Sequence, residues 1–244
     1  MRQFGLIGKP LSHSFSQTFF TEKFRKEQLA DCRYQNFELD TIGEVSALLQ
    51  SVPGLRGLNV TIPYKEQILP FLHAVDPVVK AIGACNCIKI EGDKLHGFNT
   101  DATGFTRALY PFLKSCHTKA LVVGNGGASK AVQYALAGLD INYTVVSRTP
   151  TEGLLTYEEL NDDLICDHLL IVNTTPLGTF PDVDSVAALP FSAVGKNHLL
   201  FDLVYNPAVT TFLKRGAEQG AQISNGYQML VEQAEESWII WNAT

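Results

Sequence analysis

Leu121-Val-Val-Gly-Asn-Gly-Gly-Ala-Ser129 is an apolar run that leads straight into Gly124, Gly126 and Gly127, and an apolar, helix-compatible stretch follows to Leu139. Strand, glycine turn and helix, in that order, are what the pyrophosphate of a dinucleotide requires. Glycine has no Cβ, so the backbone can turn sharply and approach phosphates closely. A helix beginning near Ala128 points its free N–H groups and its positive dipole end at them. A second strand, Tyr143-Thr-Val-Val146, arrives after one helix, as a βαβ unit demands. The loop is not the full G-x-G-x-x-G, because Ser129 holds the third glycine position. Read alone, it fits a structural turn as well as a phosphate cradle. Gly124, Asn125, Gly126, Gly127 and Ala128 are the candidate cofactor contacts.

Directly after the second strand stands Ser147-Arg148-Thr149, where an acidic residue would grip the ribose hydroxyls of NAD. An arginine there suits the extra 2′-phosphate of NADP. On this stretch alone, a solvated surface charge is the competing reading of Arg148.

The chain has 244 residues, 45% of them hydrophobic and 18% charged, with a net charge of −6. That length permits one large domain or two modest ones, with ample core. No basic stripe marks a nucleic-acid partner. No apolar run approaches a membrane span, and the first residues lack the apolar segment of a signal peptide. The five cysteines, Cys32, Cys85, Cys87, Cys116 and Cys166, follow no framework spacing. Cys85-x-Cys87 is too tight for a zinc knuckle and has no second pair. Reduced, buried thiols in a cytoplasmic protein, with no metal, are the expectation.

In chain order, Gln3-Phe-Gly-Leu-Ile-Gly8 reads as a strand. A block of three serines and a histidine, Ser12 to Ser16, precedes a helix expected over 18–28. One hydroxyl suffices for a cap; the others suit a carboxylate or phosphate. Tyr34 to Leu39 alternates as a strand, and a helix is expected over 42–49. Gly57-Leu-Asn-Val-Thr61 is a strand with Asn59 and Thr61 on one face, followed by Pro63 and Lys65, where a new helix is expected. Ligands of α/β sheets bind at such strand ends. Residues 82–90 read as a glycine turn running into a strand that contains Asn86, and a hairpin at 91–93 returns the chain to Phe98. Asn99-Thr-Asp-Ala-Thr-Gly104 opens a helix with more polar residues than a cap needs. Strands at 169–173 and 199–204 follow, the first by its continuous apolar run. The last helix begins near Asn225, carrying Gln233, with Met229, Leu230 and Ala234 as an apolar stripe that reads as core. The domain boundary is placed near residue 100.

Taken together, these residues resemble the shikimate dehydrogenase family, nearly end to end. The family's H-S-x-S-P appears as His13-Ser-Phe-Ser-Gln17, and N-V-T-x-P-x-K spans Asn59 to Lys65. G-A-x-N-T appears as Gly83-Ala-Cys-Asn86 with Cys87 after it, and N-T-D-x-x-G spans Asn99 to Gly104. The glycine loop, N-x-T-P-x-G from Asn173 to Gly178, D-x-x-Y-x-P from Asp202 to Pro207, and G-x-x-M-L-x-x-Q from Gly226 to Gln233 complete the set. The departures are Gln17 for proline, Cys87 for threonine, Asn125 inside the glycine loop, and Pro150-Thr-Glu152 where a second basic residue often follows Arg148.

The resemblance implies an α/β protein of two domains with a cleft between them. Residues 1–100 form a substrate-binding catalytic domain, completed by a C-terminal helix over 226–244. Residues 101–225 form a Rossmann-type, doubly wound NADP-binding domain. The implied reaction is reversible NADPH-dependent reduction of 3-dehydroshikimate to shikimate, in chorismate and aromatic amino acid biosynthesis. Lys65 and Asp101 are the implied catalytic pair. Ser14 and Ser16 would bind the substrate carboxylate, with Tyr205 near it; Asn59, Thr61, Asn86, Asp101 and Gln233 would hold ring hydroxyls. Ser147, Arg148, Thr149, Asn173, Thr174 and Gly226 join the glycine loop as implied cofactor contacts. A cytoplasmic monomer or homodimer acting on small molecules is expected. The alternatives are a quinate/shikimate enzyme that uses NAD, and a non-catalytic NADP-binding paralogue, which would be expected to have lost Lys65 or Asp101.

Overall fold

A computed structural model describes residues 1–11 and 14–243. Ser12 and His13, read above as part of the serine motif, lie outside the described residues. The contacts divide the chain into two compact units, Met1–Gly104 with Leu230–Thr244, and Phe105–Met229.

The first unit is built on a six-stranded sheet. Its strands are β1 (Arg2–Gly8), β2 (Cys32–Glu38), β3 (Leu55–Val60), β4 (Ala74–Val75), β5 (Cys87–Glu91) and β6 (Lys94–Phe98), in the order β2-β1-β3-β5-β6-β4. β2, β1 and β3 run parallel, and β5 pairs antiparallel with both β3 and β6. Helices α1 (Phe15–Lys26), α2 (Val45–Ser51) and α3 (Pro77–Ile82) connect them. Alternate residues of β1 face opposite ways. Ile7 joins a core with Leu58, Val60, Tyr64, Ile68 and Ile88, while Phe4 and Leu6 join Phe20, Phe24, Tyr34 and Trp241. Trp241 lies so close over Gly57 that any Cβ there would collide with its indole, whose Nε1 donates to the Ile88 carbonyl at 3.0 Å.

The second unit holds a five-stranded, all-parallel sheet. Its strands are β7 (Lys119–Val123), β8 (Asn142–Val146), β9 (Leu170–Asn173), β10 (Leu199–Asp202) and β11 (Gln222–Ser224), in the order β11-β10-β9-β7-β8. Helices α4 (Asp101–Leu109), α5 (Gly127–Gly138), α6 (Asp162–Asp167) and α7 (Thr211–Glu218) accompany it, the first of them beginning in the first unit. The three central strands, β7, β9 and β10, are buried on both faces, as parallel strands are. Ala120, Val122, Leu170, Val172, Leu199 and Phe201 enter one core; Leu121, Val123, Ile171 and Leu200 enter the other. The final helix, α8 (Tyr227–Asn242), places Met229 in the second unit's core and Ala234 and Trp241 in the first's.

Several local expectations are corrected. No helix follows Pro63; residues 62–68 form turns that end in a short 3-10 segment, Leu69–Phe71. One i→i−4 bond forms there, from the Ile68 N–H to the Tyr64 carbonyl, and Pro70 has no N–H with which to make the bond to the Glu66 carbonyl that would extend it. Helix α1 starts at Phe15 rather than near residue 18, because Ser14 caps it. Asn86 stands just before β5 rather than within it, and Thr61 just beyond β3. Of the cysteines expected to be buried, Cys116 and Cys166 are exposed. Among the described residues, no helix is long and apolar enough to cross a membrane.

Candidate functional site

The turn after β3 carries Lys65. Its backbone is anchored by the Cys85 N–H, which donates to the Lys65 carbonyl at 2.8 Å, and by the buried Tyr64 hydroxyl, which donates to the Leu39 carbonyl at 2.8 Å. The Lys65 side chain is thereby presented to the start of α4. There its Nζ meets Asp101 Oδ2 at 2.7 Å, with the two side chains 20% and 12% exposed. Capping does not occupy Asp101, because Asn99 Oδ1 accepts the Ala102 N–H at 3.2 Å. The second carboxylate oxygen, Oδ1, accepts from Asn86 Nδ2 at 2.9 Å. Asn86 is itself fixed by the Thr100 N–H, which donates to its Oδ1 at 2.6 Å. A partly buried charge pair, with the carboxylate held on its other side, restrains the ammonium as a charge-assisted donor.

Asn59 and Gln233, two of the other expected substrate contacts of the first unit, are joined to the Asn86–Thr100 neighbourhood of this pair by buried hydrogen bonds. Asn59 is 4% exposed; its Nδ2 donates to Ser237 Oγ at 2.9 Å and to the Asn86 carbonyl at 3.3 Å. Its Oδ1 accepts from the Tyr34 hydroxyl at 2.8 Å. Burial pushes the Tyr34 hydroxyl well above its ordinary range, opposed by a hydrogen bond from Ser16, so it stays a donor at neutral pH. Gln233 approaches Thr100, with its Oε1 3.4 Å from the Thr100 hydroxyl, and donates through Nε2 to the Leu230 carbonyl at 3.0 Å. Thr61 sits half-buried at the end of β3. Ser14 caps α1 by accepting the Gln17 N–H at 3.4 Å, a role that does not use its own O–H. Tyr205 belongs to the second unit and is half-buried, which raises the pKa of its phenol.

Two polar residues in this set, Tyr34 and Ser237, carried no signal in the sequence reading. Ser237 lies four residues after Gln233 on α8, so the two share a helix face. That spacing is the one clue the sequence offered.

In the second unit, β7 leads into Gly124, whose φ of +109° favours glycine. A Cβ there would also lie 2.7 Å from Thr174 Oγ1. The turn is tied down by Ser129 Oγ donating to the Gly124 carbonyl at 2.7 Å and Thr174 Oγ1 donating to the Val123 carbonyl at 2.8 Å. Gly126 and Gly127 are different: a Cβ at either meets nothing within 4 Å. Gly126 caps α5 with no side-chain cap, so the first amides of that helix, near Ala128, are not occupied by a capping side chain. Asn125 is exposed. An open, glycine-lined helix start fits a dinucleotide pyrophosphate. Beyond β8, Ser147 Oγ accepts the Thr149 N–H at 3.2 Å, and the Arg148 side chain between them is exposed.

The remaining expected cofactor contacts have internal work. Asn173 is 1% exposed, donates to Asp202 Oδ1 at 2.9 Å, and accepts from the Thr175 N–H and hydroxyl. Asp202 also accepts from the Thr210 hydroxyl and the Val204 N–H. Burial pushes its carboxyl up to about 6 against these three donors. Gly226 packs where any Cβ would collide with the Leu203 carbonyl.

With this geometry established, comparison with known proteins decides the family. The model of the shikimate dehydrogenase substrate binding domain matches residues 6–88. A shikimate dehydrogenase (NADP(+)) of Methanococcus maripaludis is 35% identical over 97% of this chain and 90% of its own length. The chain belongs to the shikimate dehydrogenase family. Among solved structures, the shikimate 5-dehydrogenase of Thermus thermophilus, in complex with NADP(H) and shikimate, is similar at a TM-score of 0.88 and 30% identity, covering 99% of this chain and 94% of that one. A quinate dehydrogenase of Corynebacterium glutamicum, in complex with NAD, is similar at a TM-score of 0.87 and 26% identity, covering 99% and 93%. Membership of the shikimate dehydrogenase family gives the α/β architecture of both units its counterpart in solved structures.

Proposed function

We propose that this chain catalyses the reversible, NADPH-dependent reduction of 3-dehydroshikimate to shikimate, a step of chorismate and aromatic amino acid biosynthesis. The observation that carries the reading is the Lys65–Asp101 pair at 2.7 Å, with Asn86 holding the far side of the carboxylate at 2.9 Å. In this reading, the first unit binds the substrate and the second binds NADP.

Bound NADPH supplies the hydride. Reduction of the ketone makes an alkoxide, and the Lys65 ammonium donates the proton that neutralises it; in the oxidation direction the same nitrogen receives it. Asp101 holds that ammonium in place and balances its charge. Ser14 and Ser16 donate hydroxyls to the substrate carboxylate, and Tyr205 is a further candidate contact for shikimate. Asn59, Thr61, Asn86, Asp101 and Gln233 select the ring-hydroxyl pattern. Hydrogen-bonded recognition is discriminating because a buried group left unpaired costs about 1–3 kcal/mol. The amides at Gly126, Gly127 and Ala128 receive the pyrophosphate, and Arg148, flanked by Ser147 and Thr149, receives the 2′-phosphate. The enzyme acts in the cytoplasm, as a monomer or homodimer.

A second reading, a quinate enzyme using NAD, draws on the likeness to the quinate dehydrogenase. Quinate carries an extra hydroxyl on the carbon that bears the carboxylate, so room near Thr61 and the serine motif separates the two. One assay distinguishes them: absorbance at 340 nm with shikimate and quinate, each with NADP and NAD. Turnover of shikimate with NADP above the other three combinations is expected. Preference for quinate with NAD replaces the first reading with the second, and no turnover in any combination removes both.

A further inference from the structure

Several of the first unit's candidate residues are joined by one run of buried hydrogen bonds. Tyr34 donates to Asn59, and Asn59 donates to Ser237. Ser237 Oγ lies 3.3 Å from Thr100 Oγ1, Thr100 is joined to Asn86, and Asn86 holds Asp101. Tyr34 and Ser237 are 4% and 0% exposed. Both are buried, and each holds the side-chain amide of Asn59, a candidate substrate contact.

Their effect on Asn59 is specific. An amide has two donor hydrogens and an acceptor oxygen with two lone pairs. The Asn59 hydrogens are taken by the Ser237 hydroxyl and the Asn86 carbonyl, and the oxygen receives the Tyr34 hydroxyl. Reversing the amide would set its NH₂ against the Tyr34 hydroxyl, which would have to give up its own donation, and its oxygen against the Asn86 carbonyl. The Ser237 hydroxyl donates to the Gln233 carbonyl at 2.9 Å, so it meets Asn59 as an acceptor. What Asn59 has left for a ligand is a single lone pair.

We infer that Tyr34 and Ser237 are positioning residues for substrate binding: together they lock the Asn59 amide so that it can only accept from a substrate hydroxyl. Ser237 also carries that lock onto the helix that bears Gln233. The inference rests on the functional reading above, in which Asn59 and Gln233 contact shikimate. Neither residue touches the reacting atoms, so the effect falls on substrate affinity rather than on the chemical step.

The test uses the full chain, with Tyr34→Phe, Ser237→Ala and the double variant, by steady-state kinetics and by calorimetric titration with shikimate. Each single variant should raise KM and Kd for shikimate about tenfold, the loss expected of one buried hydrogen bond. Turnover at saturation should change less than about threefold, and Kd for NADP should stay constant. The double variant should lose less than the product of the two single losses, because both act on one amide. Unchanged shikimate affinity in both single variants, whatever their melting temperatures, overturns the inference, as does a fully multiplicative double variant. Tyr34→Phe keeps the ring, and Ser237→Cys keeps the shape; these two decide the matter should Ser237→Ala not fold. Wild-type protein that neither binds nor oxidises shikimate overturns the functional reading and the inference with it. Wild-type binding that both substitutions leave untouched overturns the inference alone.

Discussion

Lys65 and Asp101 are 36 residues apart in the chain, and their charged atoms meet at 2.7 Å. The turn after β3 presents one and the first turn of α4 the other, each pinned by hydrogen bonds that do not involve the partner. Lys65→Ala should therefore lower kcat about 10²–10⁴-fold, the usual worth of a positioned proton donor, with a smaller change in KM. Asp101→Asn should lower kcat in the same direction. Circular dichroism should show both variants folded. Turnover near normal in Lys65→Ala would remove that residue from the chemistry.

The glycines of the second unit's loop should separate folding from cofactor binding. Gly124→Ala combines a φ of +109° with a Cβ 2.7 Å from Thr174 Oγ1, so its melting temperature should fall. Gly126→Ala meets open space in the protein, so its melting temperature should hold while NADPH affinity drops. Calorimetric titration with NADPH beside thermal melts distinguishes the two, and a Gly126→Ala protein that binds NADPH normally would place the pyrophosphate elsewhere.

Arg148 follows β8 and its side chain is exposed. Arg148→Ala should cut the preference for NADPH over NADH about tenfold to a hundredfold, the value of one charge-assisted contact. Equal losses with both cofactors would mean that the guanidinium never meets the 2′-phosphate.

Asp202 gives the second unit a pH dependence of definite sign. Its carboxyl in the folded protein is pushed up to about 6 by burial. The folded state thus holds the proton more tightly than the unfolded chain does. Stability from this group is fully present below the ordinary carboxylate value and is lost as pH rises through about 6. Carbon-13 NMR of the Asp202 carboxyl should give a midpoint near 6. A midpoint in the ordinary carboxylate range would show that the Thr210, Asn173 and Val204 donors fully offset burial.

How much of this was legible depended on how local the cause is. β7, β9 and β10 announce themselves as continuous apolar runs because both faces of a parallel sheet are covered. The glycine loop is a local pattern with a local cause, and Ser14's role as a cap follows from the hydroxyl preference of helix starts. The stretch around Lys65 was misread as a helix, although Pro63 and Pro70 bracket it. Helices α3, α6 and α7 went unread because they are short, yet Asp76, Asn161 and Thr210 cap them with side-chain hydrogen bonds. The Asn59–Ser237 bond spans 178 residues. No window of sequence contains both partners, so only the folded chain reveals what Ser237 does.

Trp241 stacks on Phe4 with ring centroids 4.9 Å apart, and Gly57 is shaped to receive it. The packing around β1 and β3 therefore cannot be completed until residue 241 has been synthesised. A ribosome carrying this chain holds that aromatic core open from the emergence of Phe4 to the emergence of Trp241.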